Sequence, residues 1–197
     1  MTLKKALELY PQRTAVVDGD HSFSYAQIGG RVSGLARFFQ AQRIQPGDRI
    51  SILEVNSHAF LEAYYAPAAI GAILHPHNDR LAAREIASIL NESGTRWLVA
   101  GSRFAAVVKG VLAEDTPLKG IVWIGDAPED SGKVPFLSYE TAIKNHGGTF
   151  EPVTVGENDV AHLYYTSGTT GRPKGCLLYT SDAADDDTIV GWAGGGG

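Results

Sequence analysis

Short β-branched runs alternate with stretches of helical period along most of this chain, and that alternation most constrains its fold. Thr14–Asp18 (TAVVD) reads as a strand stopped by Gly19, and His21–Ser24 can fold back on it around Gly19-Asp20 as a hairpin. From Tyr25 the period changes: Ile28, Val32, Leu35, Ala36 and Phe39 fall on one helical face, with Ser24 placed to cap it. After a Pro46-Gly47-Asp48 turn, Arg49–Leu53 (RISIL) reads as a strand, 57–70 as a helix bent or ended by Pro67, and 72–74 as a short strand. Leu81, Ile86, Ile89 and Leu90 mark a helix closed by Gly94, and 97–100 a strand. Phe104, Val107, Val108, Val111 and Leu112 mark a helix before the strand Gly120–Ile124. Between 126 and 158 prolines and glycines interrupt the pattern, which reads as a surface connection with one helix at 139–144. The final strand is 160–165. Strands that alternate with helices in this way form a parallel sheet with helices on its faces.

Composition narrows the class further. An apolar content of 44 % in 197 residues suits one globular domain, or one and a fraction. No uncharged apolar run reaches the roughly 18 residues of a membrane span. The first residues lack the long apolar stretch of a secretory signal. With a single cysteine, Cys176, there is no internal disulfide, and a cytoplasmic location is the expectation. Four of the five net negative charges come from Asp182, Asp185, Asp186 and Asp187. There is no basic stripe, so nucleic acid is not an expected partner.

The strand at 160–165 delivers the chain into TSGTTGRPKG, residues 166–175. Each residue type there has a use in gripping phosphate. Gly168 and Gly171 permit positive φ and close approach of backbone to ligand. Successive N–H groups can then converge as an anion nest. Thr166, Ser167, Thr169 and Thr170 supply hydroxyl donors for phosphate oxygens or oxygen ligands for Mg2+. Lys174 is a point charge matched to polyphosphate, and Pro173 stiffens the exit. The spacing is not that of a Walker A loop, because Lys174 is followed by Gly175, and there is no GxGxxG. Composition alone also fits a plain Gly/Thr surface loop.

The order of the residues resembles one family. LYYTSGTTGRPKG, from Leu163 on, is similar to the phosphate-loop signature of the AMP-forming adenylate synthetases: acyl-CoA synthetases, peptide-synthetase adenylation domains and luciferases. The stretches 14–28, 44–78 and 80–99 resemble the same family's opening hairpin and first helix, and the strands and helices that follow. The resemblance implies an α/β fold, a three-layer parallel-sheet piece of the N-terminal domain of an adenylate-forming ligase, truncated after the phosphate loop. It implies a parent enzyme that joins a carboxylic acid to ATP as an acyl-adenylate, releasing pyrophosphate, and then passes the acyl group to the thiol of coenzyme A. By the same analogy Thr166, Ser167, Gly168, Thr169, Thr170, Gly171 and Lys174 bind the nucleotide, Thr166 sits nearest Mg2+, and Lys174 follows the leaving phosphates. No catalytic residue is assigned, since the family's acyl pocket, ribose contacts and C-terminal lysine all lie beyond the loop. This stretch alone is therefore expected to be inactive. The phrasing of the sequence resembles medium- and long-chain fatty acyl-CoA synthetases. Two alternatives stand beside this reading: an enzyme loading a carrier-protein thiol, and a short nucleotide-binding protein without chemistry.

Downstream of Gly175 the resemblance stops. Tyr179-Thr180 stand where the family has a Thr-His pair, and Cys176 to Asp185 (CLLYTSDAAD) resembles the in-frame translation of a transposon-end sequencing adapter. The expected division is a partial AMP-binding domain over 1–175 and a non-native, disordered tail over 176–197.

Other residues attract attention for blander reasons. His75 and His77 flank Pro76, lack an evident third ligand, and read as a loop after a strand. Phe60, Tyr64 and Tyr65 lie in a helical apolar stripe and read as core. His162, inside the last strand, reads as a packed histidine close to a phosphate site.

Overall fold

The computed structural model describes residues 3–126, 128, 133–148, 150–166 and 174–180. A first helix, α1 (Leu3–Leu9), leads into the antiparallel hairpin β1 (Thr14–Asp18) and β2 (His21–Ser24). Asp18 pairs with His21 across Gly19-Asp20, and Gly19 takes φ +57°, a conformation costly for any residue with a Cβ. Helix α2 (Tyr25–Ala41) begins with a capping box: Gln27 N donates to Ser24 Oγ at 3.2 Å, and Ser24 N donates to Gln27 Oε1 at 2.7 Å. Two of the helix's orphan donors are satisfied in this way.

Then follow β3 (Arg49–Leu53), α3 (His58–Ala69), β4 (Ile73–Pro76), α4 (Ala83–Ser93), β5 (Trp97–Gly101), α5 (Ala105–Leu112), β6 (Gly120–Ile124), β7 (Phe136–Ser138), α6 (Tyr139–Asn145), β8 (Val160–Thr166) and β9 (Lys174–Tyr179). Ser57 caps α3, its Oγ accepting from Phe60 N at 3.1 Å, and Gly94 ends α4 at φ +64°. Pro67 is accommodated inside the last turn of α3 without ending it.

Seven strands form one sheet in the order β7-β6-β5-β3-β4-β8-β9, parallel throughout except for the antiparallel pair β8–β9. The side chains of β3, β5 and β6 alternate between two buried faces, so these strands read as continuous apolar runs. On one face Ile50, Ile52, Val99 and Val122 pack with Leu35, Phe39, Ala63 and Ile143 from α2, α3 and α6. On the other, Leu53, Leu98, Ala100, Ile121 and Trp123 pack with Ile86, Leu90 and Val108 from α4 and α5. These are three layers, each fully buried aliphatic side chain contributing about 1.5–3 kcal/mol.

A polar network ties the first helical layer together. Glu62 on α3, with no exposure, accepts from Arg31 Nε at 2.6 Å and from the Tyr139 hydroxyl at 2.9 Å. Arg31 also donates twice to Glu140, at 2.8 and 2.6 Å. Burial pushes the Glu62 carboxyl up, opposed by its bonds to Arg31 and Tyr139.

Three elements go beyond the sequence pattern: α1, β7 and β9. Leu7 of α1 packs so closely on α2 that a Cβ at Gly29 would come within 2.7 Å of it. β7 is a three-residue strand directly after Pro135, and β9 runs beyond the strand at 160–165 that the pattern marks as the last. The reading of His75 as a loop residue is corrected as well, whereas His77 follows the strand directly, as the sequence suggested. β4 begins at Ile73 and extends through Pro76, and both imidazoles are buried, at 0 % and 8 % exposure. Histidine is a weak strand former by propensity, but pairing with β3 on one side and β8 on the other overrides that.

Candidate phosphate-loop site

β8 and β9 are the two stems of the Gly/Thr loop. In their antiparallel register Thr166 stands opposite Lys174 and Tyr165 opposite Gly175. The structure thus brings together the first and last of the expected nucleotide-binding residues, and both are exposed. Ser167, Gly168, Thr169, Thr170 and Gly171 lie outside the described residues. The loop opens at the carboxyl end of β8, where the parallel strands β3 and β4 also end, the end at which open α/β sheets take their ligands.

An oxygen donor at Thr166 and an ammonium at Lys174, facing solvent on paired strands, fit a polyphosphate. The hydroxyl at Thr166 is also of the hard oxygen type that Mg2+ takes. Among the described residues no three His, Cys, Asp or Glu side chains converge to hold a metal ion.

Behind the stems the sheet is unusually rich in histidine and tyrosine. On the face toward α3, His162 lies 4.8 Å from the Tyr64 ring and 5.8 Å from that of Tyr164, and the two tyrosine hydroxyls are 3.4 Å apart. On the opposite face, His75 lies 4.4 Å from His77 and 5.2 Å from Tyr165. His75 Nδ1 is 3.1 Å from Ser51 Oγ on β3. Burial pushes His75 and His162 each down to about 4, and pushes His77 well down too, helped by the neighbouring His75. All three are neutral imidazoles near pH 7. Burial raises the Tyr165 phenol, and the charge of Glu92 adds to this while Arg49 opposes it. His75 Nε2, both ring nitrogens of His77 and His162 Nδ1 are buried without a protein partner.

Phe60, Tyr64 and Tyr65 are partly buried against the core, as their helical stripe predicts. A groove of about 990 Å3 between α5, β6 and β7, lined by Lys109, Leu112, Trp123 and Phe136 among others, lies at the opposite edge of the sheet from the loop. Ser51 and Tyr165 are not singled out by the sequence reading. A signal for Ser51 existed, since it is a lone hydroxyl inside the buried run RISIL.

Residues 3–188 match the AMP-binding enzyme family. The chain is 33 % identical over 205 residues to a peroxisomal butyrate–CoA ligase of Arabidopsis thaliana, an alignment covering 96 % of this chain and 36 % of that protein. It is 35 % identical over 158 residues to a long-chain-fatty-acid–CoA ligase of Thermus thermophilus, covering 80 % of this chain and 28 % of that one. The fold superposes on the inhibitor-bound N-terminal domain of FACL13 from Mycobacterium tuberculosis with a TM-score of 0.80 and 29 % identity, covering 94 % of this chain and 47 % of that one. The chain spans about a third of the length of the curated relatives it matches.

Proposed function

This chain belongs to the AMP-binding enzyme family, and from that we propose that the longer protein containing it is an ATP-dependent, AMP-forming acid–thiol ligase. In the first step a carboxylate oxygen attacks the α-phosphorus of ATP, the bond to the bridging oxygen breaks, and pyrophosphate leaves with its electron pair. In the second step a thiol displaces AMP from the acyl carbon. The observation that carries the reading is the antiparallel β8–β9 pairing, which opposes Thr166, the first residue of TSGTTGRPKG, and Lys174, its last but one.

The first step needs position and charge stabilisation more than covalent help. Ser167, Gly168, Thr169, Thr170 and Gly171 hold the β- and γ-phosphates between the two stems. Lys174 offsets the charge that grows on the departing pyrophosphate. Thr166 would hold Mg2+ through its hydroxyl, and the ion would supply neutralisation of the phosphate charge. Coenzyme A is the proposed acceptor and a medium- or long-chain fatty acid the proposed substrate, following the fatty-acid ligase of T. thermophilus at 35 % identity. The domain boundary is proposed at Gly175, on the adapter-like sequence that follows it, and the protein is proposed to act in the cytoplasm. The 197-residue chain alone is proposed to lack ligase activity.

The test is ATP–pyrophosphate exchange by the full-length ligase against acids from butyrate to stearate, plus benzoate and ferulate, with and without Mg2+. Exchange that is dependent on Mg2+ and strongest for fatty acids of eight or more carbons supports the reading; preference for an aromatic acid refutes the substrate, and no exchange with any acid refutes the ligase. Exchange catalysed by the purified 197-residue chain refutes its proposed inactivity.

A further inference from the structure

A row of side chains crosses the sheet beneath the loop. Ser51 on β3 and His75 on β4 occupy paired positions, and their Oγ and Nδ1, 3.1 Å apart, share a hydrogen bond with neither side chain exposed to solvent. The His75 ring lies 5.2 Å from that of Tyr165 on β8, tilted by 37°. The Tyr165 ring in turn covers the partner strand: a Cβ added at Gly175 would lie 3.5 Å from its Cζ. Four adjacent strands, β3, β4, β8 and β9, are thus linked by contacts Ser51–His75–Tyr165–Gly175. The last two of these residues are the immediate neighbours of Thr166 and Lys174, the described ends of the loop.

We propose that Ser51, His75 and Tyr165 are positioning residues that fix both stems of the phosphate loop and thereby set its affinity for ATP. This rests on the ligase reading above. The reason to assign the row more than packing lies in its cost. A valine or leucine at 75 would fill a buried position of β4 without penalty. His75 instead leaves Nε2 with no protein partner, beside a second imidazole whose two nitrogens are equally unpartnered. A buried polar atom left in that state costs on the order of 1–3 kcal/mol. Such a departure from the most stable choice is characteristic of positions held by a function. What the imidazole supplies that an aliphatic side chain cannot is direction. Ser51 fixes one ring nitrogen and so orients the flat face that Tyr165 meets. Misplacement of the two stems by fractions of an ångström weakens the contacts that Thr166 and Lys174 make to a bound polyphosphate together.

The experiment compares the full-length wild-type ligase with His75→Phe, His75→Asn and Ser51→Ala in ATP–pyrophosphate exchange, with thermal unfolding of each. His75→Phe keeps a ring against Tyr165 but loses the bond to Ser51, and removes an unpartnered nitrogen. The expected result is a KM for ATP raised roughly tenfold, with kcat and the KM for the acid within about threefold of wild type and no fall in Tm. His75→Asn retains a polar atom for Ser51 and is expected to recover part of the affinity; Ser51→Ala is expected to lose about threefold in KM for ATP. A His75→Phe enzyme with wild-type KM for ATP overturns the proposal, as does a variant in which Tm, kcat and both KM values deteriorate together, which is the mark of a merely structural role. Absence of exchange in the wild type instead overturns the ligase reading on which the proposal rests.

Discussion

The two halves of the sheet are built to different rules. From β5 through β6 nearly every residue is buried, both faces are covered by helices, and the letters are Trp, Leu, Val, Ile and Ala. From β4 through β9 the strands carry His75, His162, Tyr164 and Tyr165, the outermost strand is largely exposed, and buried nitrogens go unpartnered. The first half obtains its stability from area removed from water. The second gives some of that up to hold polar rings beneath a loop. The tightly packed strands and the proposed phosphate site lie on opposite sides of β3.

The largest expected effect comes from acid, and it falls on the histidine half. His75 and His162 have folded-state values near 4, below the 6.5 of an unfolded chain, so each favours folding at neutral pH and loses that contribution as pH falls from about 6.5 toward 4. Each loses on the order of 3 kcal/mol across that window, and nothing further below it. Urea midpoints measured between pH 7 and 5 should fall with a slope that drops by roughly a third when His162→Phe removes one of the three lowered imidazoles, His75, His77 and His162. A flat profile in that interval would mean the histidines reach solvent, and the contrast between the halves would fail.

Truncation in the other half is next. Leu98 on β5 has no exposure and packs between α4 and α5. Leu98→Ala is expected to cost about 3 kcal/mol, through lost transfer energy and a cavity that rigid neighbours on two strands cannot fill. Chemical denaturation would register it as a shift in midpoint at constant slope. A loss below about 1 kcal/mol would place Leu98 outside the tightly packed set.

A smaller loss is expected where backbones touch. A Cβ at Gly34 on α2 would come 2.6 Å from the Ile143 carbonyl oxygen on α6, which as backbone cannot swing aside. Gly34→Ala gains about 1 kcal/mol of helix propensity, and overpacking costs about 1–3. The net expectation is a destabilisation of about 1 kcal/mol, visible as a lower Tm. A rise in Tm would mean that α6 can move off α2.

These contrasts also explain what could be read from the letters. The strands β3, β5 and β6 were legible because burial on both faces leaves no polar residue to blur them, apart from Arg49 and Ser51 on β3. The hairpin β1–β2 and the Ser24 cap were legible because their signals are local. β4 was read short, and His75 was assigned to a loop, because what holds it in the strand is pairing with β3 and β8, which are distant in sequence. α1 carries only Leu3, Ala6 and Leu7 toward the core, too few for a period to stand out. Within the site, Thr166 and Lys174 were legible as chemistry, but their opposition across a hairpin was not. β9 follows a Gly- and Pro-containing stretch and owes its extended form to β8.

That dependence sets the smallest expected effect and the sharpest check on the comparison. Leu177 on β9 has the same side chain as Leu98, but it is 46 % exposed and has a paired strand on only one side. Exposed apolar residues away from caps, cavities and networks usually matter by less than about 0.5 kcal/mol, so Leu177→Ala is expected to leave the urea midpoint within error. The two leucine truncations remove the same atoms from the same fold, so their difference isolates what burial between two layers contributes. If Leu177→Ala costs as much as Leu98→Ala, then β9 belongs to the cooperative core, and the loop is stapled by packing on both stems. If it costs nothing, β9 is held by its backbone pairing to β8 alone. The contacts Ser51–His75–Tyr165–Gly175 then add to the pairing that keeps Lys174 opposite Thr166.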